Sequence, residues 1–127
     1  MKVLLTGSSK GIGYKIAQDL LAEGHDLALH YNKNESPLKV VLKEDKTGSF
    51  SIQADLSRQE EIKKMVVNTI DKLSFPDCII NNAGIAESAD ISVDINSWSK
   101  IFDKTIDVNL KAPSIICLLY TSPSPRD

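Results

Sequence analysis

The sequence predicts an α/β fold: one open, doubly wound domain with a parallel sheet in the order 3-2-1-4 and helices on both faces. Three observations predict it. Short apolar runs alternate four times with stretches of helical periodicity. A glycine-rich turn lies between the first run and the first periodic stretch. The runs are too short for amphipathic helices and carry the continuous apolar character of strands buried on both faces.

Each element can be justified in turn. Val3-Leu4-Leu5 leads into Gly7 as a buried strand. Ile12, Ile16, Ala17, Leu20 and Leu21 are spaced as one helix face, and Gly24 supplies the stop. Leu27-Ala28-Leu29 is the second strand. Residues 32–37 form a polar loop, and Pro37 suits the first turn of a short helix bearing Leu38, Val41 and Leu42. Lys46-Thr47-Gly48 is a turn, after which Phe50 and Ile52 alternate with polar residues in the third strand.

Ser57, with Glu60 three residues on, predicts a capping box. The helix it opens shows Ile62, Met65, Val66, Ile70 and Leu73 on one face and ends before Pro76. Cys78-Ile79-Ile80 is the fourth strand, with Cys78 a small buried hydrophobe. After a loop over 85–95, a last helix starts near Asn96 or Ser97. It carries Trp98, Ile101, Phe102, Ile106, Val108 and Leu110, with Trp98 and Phe102 read as core, and Pro113 should bend it.

Composition bounds the function. The chain has 127 residues, 15 Lys plus Arg against 17 Asp plus Glu, and a net charge of -2. That balance argues against nucleic-acid or membrane-surface binding by charge. A hydrophobic fraction of 42% and a charged fraction of 25% are globular values. No apolar run approaches the ~20 residues of a membrane-spanning helix. Residues 1–6 show no signal-peptide pattern. Two Cys and two scattered His leave neither a disulfide framework nor a metal cluster in prospect. The expectation is a soluble, cytoplasmic domain.

Residues 117–127, Cys-Leu-Leu-Tyr-Thr-Ser-Pro-Ser-Pro-Arg-Asp, stand apart. They resemble one in-frame translation of a transposase-type sequencing adapter, and Pro123 and Pro125 fall among them. The expectation is that 117–127 is an adapter-derived scar and that 1–116 is a partial dinucleotide-binding domain.

The strongest chemical signal is Thr6-Gly7-Ser8-Ser9-Lys10-Gly11-Ile12-Gly13. A dinucleotide pyrophosphate needs a tight turn, close backbone approach and free N–H groups at a helix N-terminus. Gly7, Gly11 and Gly13 supply the first two, and Ser8, Ser9 and Lys10 add side-chain donors. The turn lacks the Gly-Lys-Ser/Thr ending of an NTP-hydrolysing phosphate loop. The fold is therefore of Rossmann type, and truncated, because a two-halved sheet needs about two more strands.

Three further motifs follow in register: Ala54-Asp55-Leu56 after the third strand, Asn81-Asn82-Ala83-Gly84 after the fourth, and Asp107-Val108-Asn109-Leu110 on the last helix. Together with the glycine turn they resemble the short-chain dehydrogenase/reductase family over essentially all of residues 1–116. The segment Leu29-His30-Tyr31-Asn32 is reminiscent of 3-oxoacyl-acyl-carrier-protein reductase-like members.

The resemblance implies roles. Gly7, Gly11 and Gly13 would line the pyrophosphate. Asp55 would accept a hydrogen bond from the adenine amino group, beside the Leu56 backbone. Asn82, Ala83 and Gly84 would border the cofactor ribose. Asn109 would match the family's helix Asn, whose main chain holds a water in the proton relay. The parent would move hydride between a nicotinamide cofactor and a small-molecule carbonyl or secondary alcohol. It would assemble as a homo-oligomer through the last helix.

An NAD-type site places an acidic residue about 20 residues past the glycines. Counting 18 on from Gly13 reaches Tyr31, which is not acidic; Asn32 and Lys33 follow. With Lys10 in the turn, two lysines would welcome a 2′-phosphate, so NADP(H) is expected over NAD(H). Glu35 is the acidic group that a small register shift would bring near.

The family's Tyr-x-x-x-Lys pair and its upstream Ser have no match. Four residues after Tyr14, Tyr31 and Tyr120 stand Gln18, Glu35 and Ser124. Asn109 is the one catalytic position present, so the chain itself should not turn over substrate. A nucleotide-binding sensor or scaffold is the alternative. His25 and His30 have no ligand cluster around them, though His30 lies where it could reach the adenosine end of the cofactor. The open sheet edge and apolar helix faces of a half-domain predict marginal stability or a need for a partner.

Overall fold

The computed structural model describes residues 1–121. Four parallel strands, β1 (Lys2–Leu5), β2 (Asp26–Tyr31), β3 (Phe50–Gln53) and β4 (Cys78–Ile80), form one sheet in the order β3-β2-β1-β4. The helices are α1 (Gly11–Ala22), α2 (Ser36–Leu42), α3 (Gln59–Leu73), α4 (Ile95–Ile106) and α5 (Ala112–Thr121). A π turn, Asp107–Lys111, joins the last two into one run. The sheet order is the one the sequence predicts.

Alternation along the strands builds two cores. Val3, Leu5, Leu27 and Leu29 face one side of the sheet and pack with Ala17 of α1 and Leu38 of α2. Leu4, Ala28 and Ile52 face the other, against Ile62, Met65 and Leu73 of α3 and Ala112 and Ile116 of α5. Period-two side-chain direction is what lets one strand serve two layers. Cys78 is half-buried in the first core. Gly24 follows α1 with φ of 81°, the left-handed stop that glycine permits.

Four local expectations are corrected. Ser57 does not cap α3: its N–H and hydroxyl both donate to Asp55 Oδ1, at 2.9 and 2.7 Å, so the hydroxyl is already committed. Arg58 stands at the cap position without a side-chain cap bond, and no capping box forms. The cap of α4 is Asp94, whose Oδ1 accepts from Asn96 N–H and Ser97 N–H at 3.0 Å each. Ile12 is 76% exposed, so the buried face of α1 begins at Gly13 and Ala17.

The fourth correction concerns the last helix. Trp98 and Phe102 are not core; they stack on each other at 5.1 Å while 46% and 48% exposed, and no residue of α4 is buried. Burial resumes at Val108 in the π turn. Ala112 N–H reaches five residues back to Asp107 O, a widened register that takes Pro113 into the first turn of α5 without breaking the run. The helix continues through 117–121, where Leu119 and Tyr120 lie against the α3 side of the core. Burial pushes the Tyr120 hydroxyl up to about 12, partly offset by the nearby Thr69 hydroxyl. Pro123 and Pro125 lie outside the described residues.

Candidate functional site: a cleft at the strand ends

All four strands point their C-terminal ends at one cleft of about 420 Å³. This is the crevice where open parallel sheets bind ligands. The turn between β1 and α1 forms one wall, contributing Gly7, Ser9 and Lys10. Tyr31, Asn32, Lys33 and Asn34 come from the end of β2, and Asp55 and Leu56 from the end of β3. Ala83, Gly84, Ile85 and Glu87 follow β4, and Lys104 and Val108 close the far side.

The glycine turn is fixed by close packing. Gly7 has φ of 66°, and a Cβ there would sit 2.8 Å from Ala83 Cα. A Cβ on Gly13 would collide with the Gly7 carbonyl and the Asn82 side-chain amide. Glycine at 13 therefore lets α1 approach the turn, rather than lining the cleft. Tyr14 N–H is the first of α1 to close on a carbonyl, that of Lys10, at 3.2 Å. The N–H groups of Gly11, Ile12 and Gly13 precede it and have no such partner among the described residues, which is the condition of an anion-binding helix terminus.

Other motif residues build the frame. Thr6 Oγ1 accepts from Asn82 N–H at 3.1 Å and from Ala83 N–H at 3.0 Å. Asn82 Nδ2 donates to the Thr6 and Gly7 carbonyls at 3.2 and 3.0 Å. Asn82 is thus a tie between the ends of β4 and β1. Ser8 is corrected as a phosphate donor: its side chain is fully buried and its hydroxyl donates to His30 O at 2.8 Å. His30 Nδ1 accepts from Gly7 N–H at 3.0 Å, and Nε2 donates to Ala54 O at 2.9 Å.

Asp55 combines a bound and an open oxygen. Oδ1 takes both Ser57 donors, and among the described residues Oδ2 has no hydrogen-bond partner. The Ser57 hydroxyl holds this carboxyl below its ordinary range, with smaller help from Ser57 N–H and the charges of Arg58 and Lys104. Across the cleft Lys104 Nζ lies 2.8 Å from Glu87 Oε1. Glu35 turns away: its carboxylate accepts from Ser51 Oγ at 2.7 Å and pairs with Lys39 at 3.2 Å, outside the cleft lining.

Asn109 does not line the cleft. Its Oδ1 accepts from Ile85 N–H and its Nδ2 donates to Ile85 O, both at 2.8 Å. Its main-chain carbonyl has Pro113 four residues on, which has no N–H to give. The sequence reading missed the frame roles of Thr6 and His30 and the Lys104–Glu87 pair. Only long-range pairing reveals them, since the partners stand 17 to 77 positions apart. Among the described residues there is no group of three or more His, Cys, Asp or Glu able to hold a metal ion, and no helix long and apolar enough to cross a membrane.

Comparison with known proteins agrees with this geometry. A sequence model described as short chain dehydrogenase matches residues 1–122. The 3-oxoacyl-acyl-carrier-protein reductase FabG of Staphylococcus epidermidis is 33% identical over 111 residues, covering 85% of this chain and 44% of the reductase. A blue fluorescent protein from a metagenomic library, solved in complex with NADPH, superposes with a TM-score of 0.83 at 25% identity, over 98% of this chain and 51% of that one. A short chain dehydrogenase from Burkholderia cenocepacia, in complex with NADP, gives a TM-score of 0.78 at 28% identity, over 91% and 47%. The chain spans about half the length of the relatives it matches. With its glycine turn, strand order and family match in agreement, the chain belongs to the short chain dehydrogenase family of oxidoreductases.

Proposed function

We propose that this chain is the NADP(H)-binding half of an oxidoreductase that moves hydride between the nicotinamide and a carbonyl or secondary alcohol carbon. One observation carries the cofactor part. The cleft is lined by Ser9 and Lys10, next in sequence to the open N–H groups of α1, and by Lys33, with Asp55 offering a free carboxylate oxygen at its side. The pyrophosphate would meet the α1 terminus. The lysines would meet a 2′-phosphate, and Glu35 is engaged elsewhere, which supports NADP(H) over NAD(H). Asp55 Oδ2 would accept from the adenine amino group. When bound, the cofactor supplies the hydride; this chain's residues hold and orient it.

In this reading Asn109 acts through its main chain, whose carbonyl Pro113 leaves without an α-helical donor. The Tyr-x-x-x-Lys pair expected of the parent is not among the 127 residues, so the chain binds cofactor without turnover. Reading residues 117–127 as adapter read-through belongs to the same proposal. Resequencing the source DNA across codon 116 without transposase adapters tests it: continuation into Ser and Tyr-x-x-x-Lys supports the oxidoreductase, and a genomic 117–127 followed by a stop overturns it and leaves a cofactor-binding module. The stacked Trp98 and Phe102 support assembly through α4.

Fluorescence titration with NADPH and NADH is the direct test of the cofactor. Tighter NADPH binding is expected; tighter NADH binding overturns the NADP(H) assignment, and binding of neither overturns the module.

A further inference from the structure

We propose that His30 is the positioning residue of the glycine turn: as a neutral imidazole it holds the Gly7 N–H and so sets the turn for a nucleotide phosphate. This rests on the cofactor-binding reading above. His30 is 2% exposed at the end of β2. A main-chain N–H can only donate, so the 3.0 Å contact with Gly7 makes Nδ1 an unprotonated acceptor. A carbonyl can only accept, so the 2.9 Å contact with Ala54 O puts the proton on Nε2. The two bonds together fix one tautomer.

The same residue holds the next amide as well. His30 O accepts from Ser8 N–H at 2.9 Å and from the Ser8 hydroxyl at 2.8 Å. Two successive residues of the turn are therefore gripped by His30, one through its ring and one through its carbonyl. On the opposite side Gly7 packs against Ala83 too closely to admit even a Cβ. The turn has little room to relax if one grip is lost. A proton on Nδ1 would set an N–H of the ring against the N–H of Gly7 and remove that grip.

The charged and titratable groups sharing the cleft are Lys10 in the turn, Tyr31 and Lys33 at the end of β2, Asp55 after β3, and Glu87 and Lys104 on the far wall. Burial, opposed by the Ala54 carbonyl, rather than any of these charges governs the ring, and lowers it from its ordinary 6.5. The neutral form is thus the one present at neutral pH, and the turn loses its grip as pH falls below that ordinary value.

Two measurements on the full 127-residue chain test this. Imidazole ¹⁵N NMR without nucleotide should show Nδ1 bare and Nε2 protonated at neutral pH, with the Gly7 amide resonance following the His30 titration. NADPH titrations against pH should show wild-type affinity falling roughly tenfold as His30 protonates, the weight of one buried hydrogen bond. His30→Asn places an oxygen where Nδ1 stands and does not titrate. It should keep neutral-pH affinity within about threefold and lose the part of the acid limb that follows the His30 NMR titration, leaving only that of the 2′-phosphate, which titrates at about 6. His30→Leu should bind roughly tenfold more weakly than wild type at neutral pH and converge with it once His30 is protonated. A proton on Nδ1, or a Gly7 amide indifferent to the titration, overturns the proposal whether or not nucleotide binds. Variants that keep the wild-type acid limb overturn it too. A chain that binds no NADPH at any pH sinks the cofactor reading instead, and the Gly7 resonance then decides the role of His30 alone.

Discussion

The side-chain amide of Asn82 donates to the carbonyl of Gly7 at 3.0 Å, across 75 positions of sequence, and with its second bond to Thr6 O it stitches the end of β4 to the end of β1. The glycine turn is therefore held from behind by a residue that does not itself line the cleft. Asn82→Ala should lower unfolding free energy by about 1–2 kcal/mol, because the partly buried carbonyls lose their donor. NADPH affinity should drop with it. Urea denaturation and a fluorescence titration on the same sample check both.

Gly13→Ala tests the close approach of α1. The added methyl has the Gly7 carbonyl in its path, and backbone cannot swing aside as a flexible side chain would. A cost of about 1–3 kcal/mol is expected from overpacking, with loss of nucleotide binding. Gly11→Ala is the control for space, since nothing lies within 4 Å of its would-be Cβ; its φ of 55° leaves a backbone cost alone. Thermal melts of the two variants should differ, with Gly13→Ala the less stable.

Lys10→Ala and Lys33→Ala should each weaken NADPH binding by roughly tenfold, the weight of a charge-assisted hydrogen bond, and leave NADH binding nearly unchanged. Equal losses for both nucleotides would place the lysines on the pyrophosphate rather than on a 2′-phosphate. Competition titrations at fixed ionic strength distinguish these outcomes.

Asp55 gives a pH signature. Its folded-state carboxyl is held below the ordinary 3.8, chiefly by the Ser57 hydroxyl. A depressed carboxyl adds stability that is present above the unfolded value and lost as pH falls through the folded one. Ser57→Ala removes one of the two donors, so the Asp55 carboxyl should titrate at higher pH and the acid edge of stability should move the same way. A carboxyl ¹³C NMR titration reads this directly; an unchanged Asp55 curve contradicts the account.

The exposed Trp98 and Phe102 pair should drive association. Sedimentation velocity is expected to show mass rising with concentration, and Trp98→Glu with Phe102→Glu should return the chain to a monomer. A wild-type chain that stays monomeric at high micromolar concentration contradicts assembly through α4.

How much of this was legible in the sequence follows from the range of each interaction. The glycine turn, the strand alternation and the placement of Asp55 depend on residue type and local spacing, so they can be read directly. The failure at Ser57 is one of competition: its hydroxyl had two acceptable partners, and the nearer carboxylate of Asp55 took it. Periodicity showed that Trp98 and Phe102 share a face, but not whether anything covers it. The roles of Thr6 and His30 depend on strands that meet only after folding. No local pattern marks a histidine ring as the acceptor for an amide 23 residues earlier.

The paired 2.8 Å bonds between Asn109 and Ile85 have a consequence for mutagenesis. A side chain that both gives to and takes from one residue's backbone imitates a neighbouring strand, so the loop after β4 is in effect bridged to a helix. Any replacement at 109 unzips that bridge, even though the carbonyl proposed for the proton relay is main chain and survives every substitution. Reduced turnover in an Asn109 variant of the proposed full-length enzyme would therefore report a displaced loop as readily as a broken relay. Exchanging Pro113 for a residue with an N–H would offer that carbonyl a competing donor and leave the bridge intact, separating the two.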